Sequence, residues 1–442
     1  MLQALIGTSG LEDARERRVF GQVTWRLIPF MFLGYVIAYI DRVNISQAAR
    51  TMQADLGMSD FEFGRGAGLF FVGYCLFEIP SNLILERVGA RLWIARIMIG
   101  WGLVAMGMLF VTGTTSFYLL RVLLGVAEAG FFPGMILYLT YWMPARQRAK
   151  TGALFMTAIP IAMIITPWIS EPLLQLDGHA LFGHPLYGWQ WLFLVEALPA
   201  VILGIIALFW LTDAPEKAHW LSPEDREWLA AEMKTERAAR ARQSPAHGFK
   251  ALANPKVLIL CLFYFLNNMA TYGVFFFLSK ILGEASGYTG MKLAAITSFP
   301  FIPALLGMVL IGRHSDRTGE RKWHAAACAL TAAGGILLAA QFQASLPMLV
   351  FSFALSQLGQ RAILGPFWAI PPMFLGGAAA AAGIATINAV GNLGGYLGPD
   401  LMGRLRDSSN DYTLGLSVLA ACLVIEAMLV VSLRLPRADA AK

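Results

Sequence analysis

Charge is scarce in this chain. Of 442 residues, 14% are Asp, Glu, Lys or Arg, and 57% are hydrophobic. A soluble globular protein carries about 25% charge, so a water-borne globule is excluded. Cysteine is also sparse. Cys75, Cys261, Cys328 and Cys422 all fall in apolar runs and none forms a CxxC pair. That excludes a disulfide framework or thiolate metal centre and leaves buried free thiols. The six histidines are scattered, mainly in loops, without metal-ligand spacing. No phosphate-binding loop or nucleophile elbow is present. These absences argue against an enzyme, an ATP-driven pump, a bound metal or an organic cofactor.

What the chain does have is repeated apolar runs of about 20 residues, the length that crosses a bilayer as a helix. They predict an all-α polytopic membrane protein with twelve spans, at 23–48, 64–85, 92–111, 117–141, 150–171, 190–211, 257–281, 293–312, 324–342, 346–374, 379–403 and 413–433. The first run is too long for a signal-peptide core and reads as a retained helix. Six spans (1–211) precede a polar segment (212–256), and six follow it (257–442). The segment contains "LSPEDREWLAAEMKTERAARARQ", where Ser222, Glu224 and Asp225 suit a helix start. It reads as a surface helix linking two membrane halves.

Lys and Arg collect on one side. That side holds Arg15, Arg17, Arg18, Arg87, Arg91, Arg146, Arg148, Lys150, eight in the linker, Arg313, Arg317, Arg321, Lys322, Arg434, Arg437 and Lys442. The other has Arg50, Arg404 and Arg406, with Lys280 at a boundary. The positive-inside rule therefore places both termini in the cytoplasm. It also explains the net charge of +6 without a nucleic-acid partner. The lipid bilayer is the expected surrounding, in a bacterial cytoplasmic membrane, with the protein a monomer. After the second span comes "ERVGAR" (Glu86, Arg87, Gly89, Arg91), and after the eighth "DRTGER" (Asp316, Arg317, Gly319, Arg321). Each alone is a basic turn. Two copies at matching places in two halves point to duplication.

These motifs carry a family resemblance. "GRHSDRTGERK" resembles the signature loop of the major facilitator superfamily, with "ERVGAR" as its degraded partner. "YIDRVN", "GYCLFEIPSNLILERVGAR", "RVLLGVAEAGFFPG", "GPFWAIP" and "NAVGNLGGYLGP" resemble the anion:cation symporter branch, and within it the tartrate-transporter-like permeases. The resemblance implies the two-half transporter fold and a proton-coupled carrier that imports a small organic anion such as tartrate. A sodium-coupled carrier, an exporter and a non-transporting sensor remain alternatives.

Charged side chains within spans are rare and mark ion pathways. Asp41 and Arg42 are neighbours, about 100° apart on a helix, and so point to different faces. Arg121 and Glu128 lie seven apart, on one face. A helix-bridging ion-pair network is the plain alternative to function. The resemblance implies protonation at Asp41 and Glu128, substrate-carboxylate contact at Arg42, and electrostatic tuning of Glu128 by Arg121. The proton is then the coupling ion. An arginine is a fixed cation whose planar fork fits a carboxylate.

Tyr39, Tyr74 and Tyr272 offer substrate contacts, and Trp368 could pack over a carbon skeleton. Asn388 and Asn392 share a face of the eleventh span and suit substrate oxygens or an interhelical bond. Arg361 departs from the family pattern. Seven residues before Trp368, it reads either as a side chain that snorkels or caps a local carbonyl, or as a second cation for a second carboxylate or an added polar group. Ile159-Pro160 stands where a sugar-acid carrier is expected to have glutamine, which favours a shorter acid. Glu78 is assigned to the gate around "ERVGAR", and Glu196 is left outside the site. The glycines of "GNLGGYLG" read as close helix packing. Pro133, Pro160, Pro167, Pro300, Pro303 and Pro366 read as kinks or broken helix turns.

Overall fold

A computed structural model describes residues 14–144, 155–242, 254–375 and 377–435. Arg146, Arg148, Lys150, Lys250, Arg437 and Lys442, counted above for orientation, lie outside them. Seventeen α-helices are described, and they build twelve spans, six on either side of a linker helix. The first half contains α1 (Ala14–Leu56), α2 (Asp60–Val88), α3 (Ala90–Met106), α4 (Thr114–Glu128), α5 (Phe131–Trp142), α6 (Ala158–Leu174) and α7 (Gly188–Trp210). The linker helix is α8 (Pro223–Arg242). The second half contains α9 (Pro255–Ser286), α10 (Gly290–Ser298), α11 (Phe301–Thr318), α12 (Lys322–Gln341), α13 (Leu346–Ala362), α14 (Leu364–Trp368), α15 (Gly377–Asn392), α16 (Gly394–Ser409) and α17 (Thr413–Ser432). A two-residue hairpin, β1 (Ala180–Leu181) with β2 (His184–Pro185), joins α6 to α7.

Among the described residues, nine helical stretches are long and apolar enough to cross a membrane. The fifth, tenth and eleventh spans are shorter or interrupted. Four spans are broken, each next to a residue that disfavours the helical ladder, and two of the breaks fall at prolines expected to kink or break a span. The fourth span breaks at Gly130, which takes a left-handed φ of 85°; a Cβ there is strained. The eighth breaks at Phe299-Pro300, where Pro300 and Pro303 have no N–H for the carbonyls four residues back. The tenth breaks at Ile363, ahead of Pro366. The eleventh breaks at Leu393, ahead of Gly394 and Gly395.

Helix starts follow local chemistry. Ser59 and Glu62 form a reciprocal capping box at α2. Asn254 caps α9 with Pro255 in the first turn. The amide of Asp225 donates to Ser222 Oγ at 3.2 Å, as the linker sequence suggests. Asp225 also accepts from Arg18 at 2.8 Å and Arg15 at 3.3 Å, which fastens α8 to the start of α1. Burial opposes the charge of this carboxyl, and the bonds from Arg18, Ser222 and Arg15 outweigh it, so it sits below its ordinary value.

The "GNLGGYLG" glycines do pack helices closely. A Cβ on Gly394 or Gly398 would stand 2.1 Å from the carbonyl oxygen of Phe265 or Met269 on α9. Both motif copies turn on a glycine with positive φ, 100° at Gly89 and 68° at Gly319.

The halves meet most firmly at the end away from α8. There Lys280 and Arg406 pair with Asp60, and Arg65 pairs with Asp400 at 3.0 Å. Asp407 accepts from the amides of Asp60 and Phe61 at 3.1 and 3.0 Å. At the α8 end the two motif loops bond within their own halves. The Arg91 amide donates to Asp213 at 3.0 Å, and Arg321 pairs with Asp316 at 2.6 Å. Glu86, Arg87 and Arg317 are exposed.

Candidate functional site

α1 brings four polar side chains into the protein interior in six residues: Tyr39, Asp41, Arg42 and Asn44, all buried. α4 adds Arg121 and Glu128, which are 0% and 1% exposed. Arg42 Nη2 donates to Glu128 Oε1 in an ion pair. The guanidinium also lies over the rings of Phe70, Tyr39 and Tyr74, with its carbon 5.0, 5.2 and 5.2 Å from the centroids. Aromatic faces attract a cation, so they support its charge where solvent is scarce.

Asp41 points elsewhere, as the 100° offset requires. Neither of its carboxylate oxygens has a hydrogen-bond partner. Arg121, Arg42 and Glu128 all act on it electrostatically. Arg121 donates to the carbonyl of Ala67 at 3.1 Å and leaves Nε and Nη1 without close partners. Two acids and two arginines thus form one buried, incompletely satisfied cluster. Such groups are costly unless they act.

The second half faces this cluster with α9 and α13. Tyr272 lies against Phe71 in a tilted pair with ring centroids 4.4 Å apart, and both Arg42 and Arg361 act on its hydroxyl electrostatically. Arg361 is 5% exposed and makes no ion pair among the described residues; its Nε and Nη2 lack hydrogen-bond partners. Guanidiniums from opposite halves therefore both act on one phenol.

The remaining expected contacts divide. Tyr74 flanks Arg42. Asn388 donates to Glu78 Oε1 at 3.1 Å across the interface of the halves. Asn392 ends α15, half-buried and without a hydrogen bond among the described residues. Trp368 is half-buried and packs edge-on to Tyr264 at 5.0 Å. It adjoins Tyr264, which Arg361 also acts on, rather than the Arg42 cluster.

Two acids left out of the site come into its surroundings. Glu78 was assigned to the gate, but it stands beside Arg42 and Tyr74 and bonds Asn388. Glu196 on α7 reaches toward Asp41. Both satisfy the rule that singled out Asp41, a carboxyl inside an apolar run. Tyr264 was also missed, although Tyr264, Asn268 and Tyr272 recur every four residues and so line one helical face.

The fold is that of a two-half transporter. The inward-open xylose transporter XylE of E. coli superposes with a TM-score of 0.74 at 14% identity, covering 94% of this chain and 97% of that one. The chain belongs to the Major Facilitator Superfamily, whose family model matches residues 31–434. An Agrobacterium vitis protein named "Putative tartrate transporter" is 50% identical over 415 residues, 94% of this chain and 91% of that protein. The "Quinolone resistance transporter" of Acinetobacter baumannii is 40% identical over 415 residues, 92% of this chain and 93% of its own. The chain is thus a multi-pass transporter of the bacterial inner membrane, not an enzyme.

Proposed function

We propose that this transporter imports a small organic dianion of the tartrate type together with protons. The observation that carries the reading is the action of both Arg42 and Arg361 on Tyr272, beside the buried acids Asp41 and Glu128. Two fixed cations from opposite halves suit two carboxylates on a short skeleton. The names of the relatives support tartrate or a close hydroxy or aromatic acid.

The coupling follows from charge balance. In the resting ion pair, Glu128 neutralises Arg42. Protonating Glu128 would leave Arg42 a buried cation without its partner, which is costly. An arriving carboxylate removes that cost. Proton and anion therefore each favour the other's binding, and by linkage the effect is reciprocal. Asp41 holds a second titratable position, which Arg121 biases. With α8 on the cytoplasmic side, the ion pairs around Asp60 close the periplasmic end, and the halves rock about the loaded centre.

Uptake of labelled tartrate into vesicles holding the purified protein tests the reading. An inward proton gradient should drive accumulation, and a sodium gradient should not. No accumulation under either gradient would overturn it. The quinolone-resistance relative supports a second reading, export, and accumulation driven by the opposite proton gradient would establish that instead.

A further inference from the structure

Glu196 is 4% exposed, in the middle of the apolar run "WLFLVEALPAV" on α7. Ser170 Oγ of α6, itself fully buried, donates to Glu196 Oε1 at 2.6 Å. Oε2 has no hydrogen-bond partner. No lysine or arginine is among the groups that act on it; these are Ser170, Asn44 and Asp41. Asn44, one turn beyond Asp41 on α1, interacts with both carboxyls, and both of its own amide atoms lack close partners. The other charges that α1 brings to α7 sit toward its two ends, Asp55 accepting from Trp189 Nε1 at 3.0 Å and Arg26 lying over the Trp210 ring. Glu171, next to Ser170, turns away to accept from the Gly290 amide at 2.9 Å. The basic residues of α3, Arg91 and Arg96, are exposed.

A structural acid is normally satisfied by a cation or by a full set of donors. Here two carboxyls flank one amide that acts on both, and five of their polar atoms make no contact of normal hydrogen-bond geometry. That pattern is completed when one carboxyl carries a proton and so becomes a donor. A single water among these atoms would have the several polar partners a buried water needs. Glu196 also lies about two turns, roughly 12 Å, from the start of α7. It thus stands between Asp41 and the end closed by the Asp60 ion pairs.

We infer that Glu196 is a third proton-handling acid of this transporter, exchanging one proton with Asp41 across the Asn44 side chain. One proton leaves the Glu196 carboxyl and one arrives at Asp41, so the charge of the pair is unchanged. Any water between them gives up one proton as it takes another. This deepens the proton-coupled reading and rests on it for its role in transport, while the exchange between the two acids is testable separately.

Glu196→Gln keeps the shape and still accepts from Ser170, so it preserves a merely structural role while removing the titration. In vesicles, proton-driven tartrate accumulation by Glu196→Gln should fall at least about tenfold, with the pH profile of uptake altered. Tartrate counterflow without a gradient should remain within about twofold of wild type, since one lost hydrogen bond to a conserved shape is a small term. Unchanged accumulation with an unchanged pH profile overturns the inference, as does a parallel loss of counterflow and accumulation.

Infrared titration of the purified full chain tests the exchange without any substrate. Glu196→Gln should remove a carboxylic C=O band, and Asp41→Asn should move the pH midpoint of the Glu196 band by about one unit, as coupled sites do. Absence of either effect overturns the inference. If wild type fails to accumulate tartrate while both infrared effects appear, the transport reading fails and the proton exchange stands.

Discussion

In the first half, Asp41, Glu128, Glu196 and Glu78 are among the carboxyls buried around α1. In the second half, Arg361 stands without an ion pair among amides and phenols. Its one fully buried glutamate, Glu426, bonds Asn267 at 3.1 Å on the far helix α17. The halves share a fold and a repeated "ERVGAR"/"DRTGER" turn, yet their interiors differ in what they can do with a proton. On the proposed reading, the first half supplies the acids that exchange protons and the second half supplies the fixed cation Arg361. The comparison also separates the two arginines. Arg42 has a partner in Glu128, whereas Arg361 makes no ion pair among the described residues.

The largest effect expected from disturbing that division is at Arg42. Arg42→Ala leaves Glu128 buried and unpaired and removes the fixed anion ligand. Tartrate affinity, read by calorimetry or thermal shift, should fall by at least about 100-fold. Asp41→Asn should come next. Gradient-driven accumulation should drop at least about tenfold, with binding affinity changed only a few-fold, as loss of a coupling energy rather than of a contact requires. Normal accumulation in both Asp41→Asn and Glu128→Gln would break the assignment of proton chemistry to the first half. Arg361→Gln is narrower. Dianion affinity should fall about tenfold while monoanion affinity barely moves, and equal responses to both would remove the second cation from the site.

The smallest effect tests the linker. Asp225 is held below its ordinary value, so its contribution to stability is present above the unfolded carboxyl's titration. It is lost as pH falls through the folded value. Melting temperature followed from neutral pH to below about pH 4 should show a small acid-dependent loss that Asp225→Asn abolishes. The size should be that of a partly exposed ion pair, at most about 1 kcal/mol.

Much of this was legible in the chain because the bilayer imposes a simple rule on it. Apolar length gave the twelve spans, and an out-of-place charge marked Asp41, Arg42, Arg121, Glu128 and Arg361. The breaks at Gly130 and Leu393 were harder to read, since a glycine in an apolar run is equally a packing device, as Gly398 is. Glu78 and Glu196 were hard to place for a different reason. What places them is contact between spans distant in sequence, Glu78 with Asn388 and Glu196 with Ser170 and Asp41. No local spacing records that. Trp368 shows the converse. Its seven-residue offset from Arg361 assumed one unbroken helix, and the interruption at Ile363 ahead of Pro366 leaves it packed on Tyr264.

The ion pairs that hold the halves together have a further consequence. Arg65, Arg406 and Lys280 keep 33%, 20% and 13% of their side chains exposed. Mobile ions therefore reach Arg65 and Arg406 more readily than they reach Arg42, which keeps 11% exposed among its aromatic neighbours. Dissolved salt screens partly exposed charges over about 10 Å at 0.1 M, so raising ionic strength loosens this end without touching the centre. The balance between the two orientations of the transporter becomes a property of the medium as well as of the cargo. Labelling of a cysteine introduced beside Asp60, followed from low to high salt, should rise with salt in wild type and be salt-independent in Lys280→Ala.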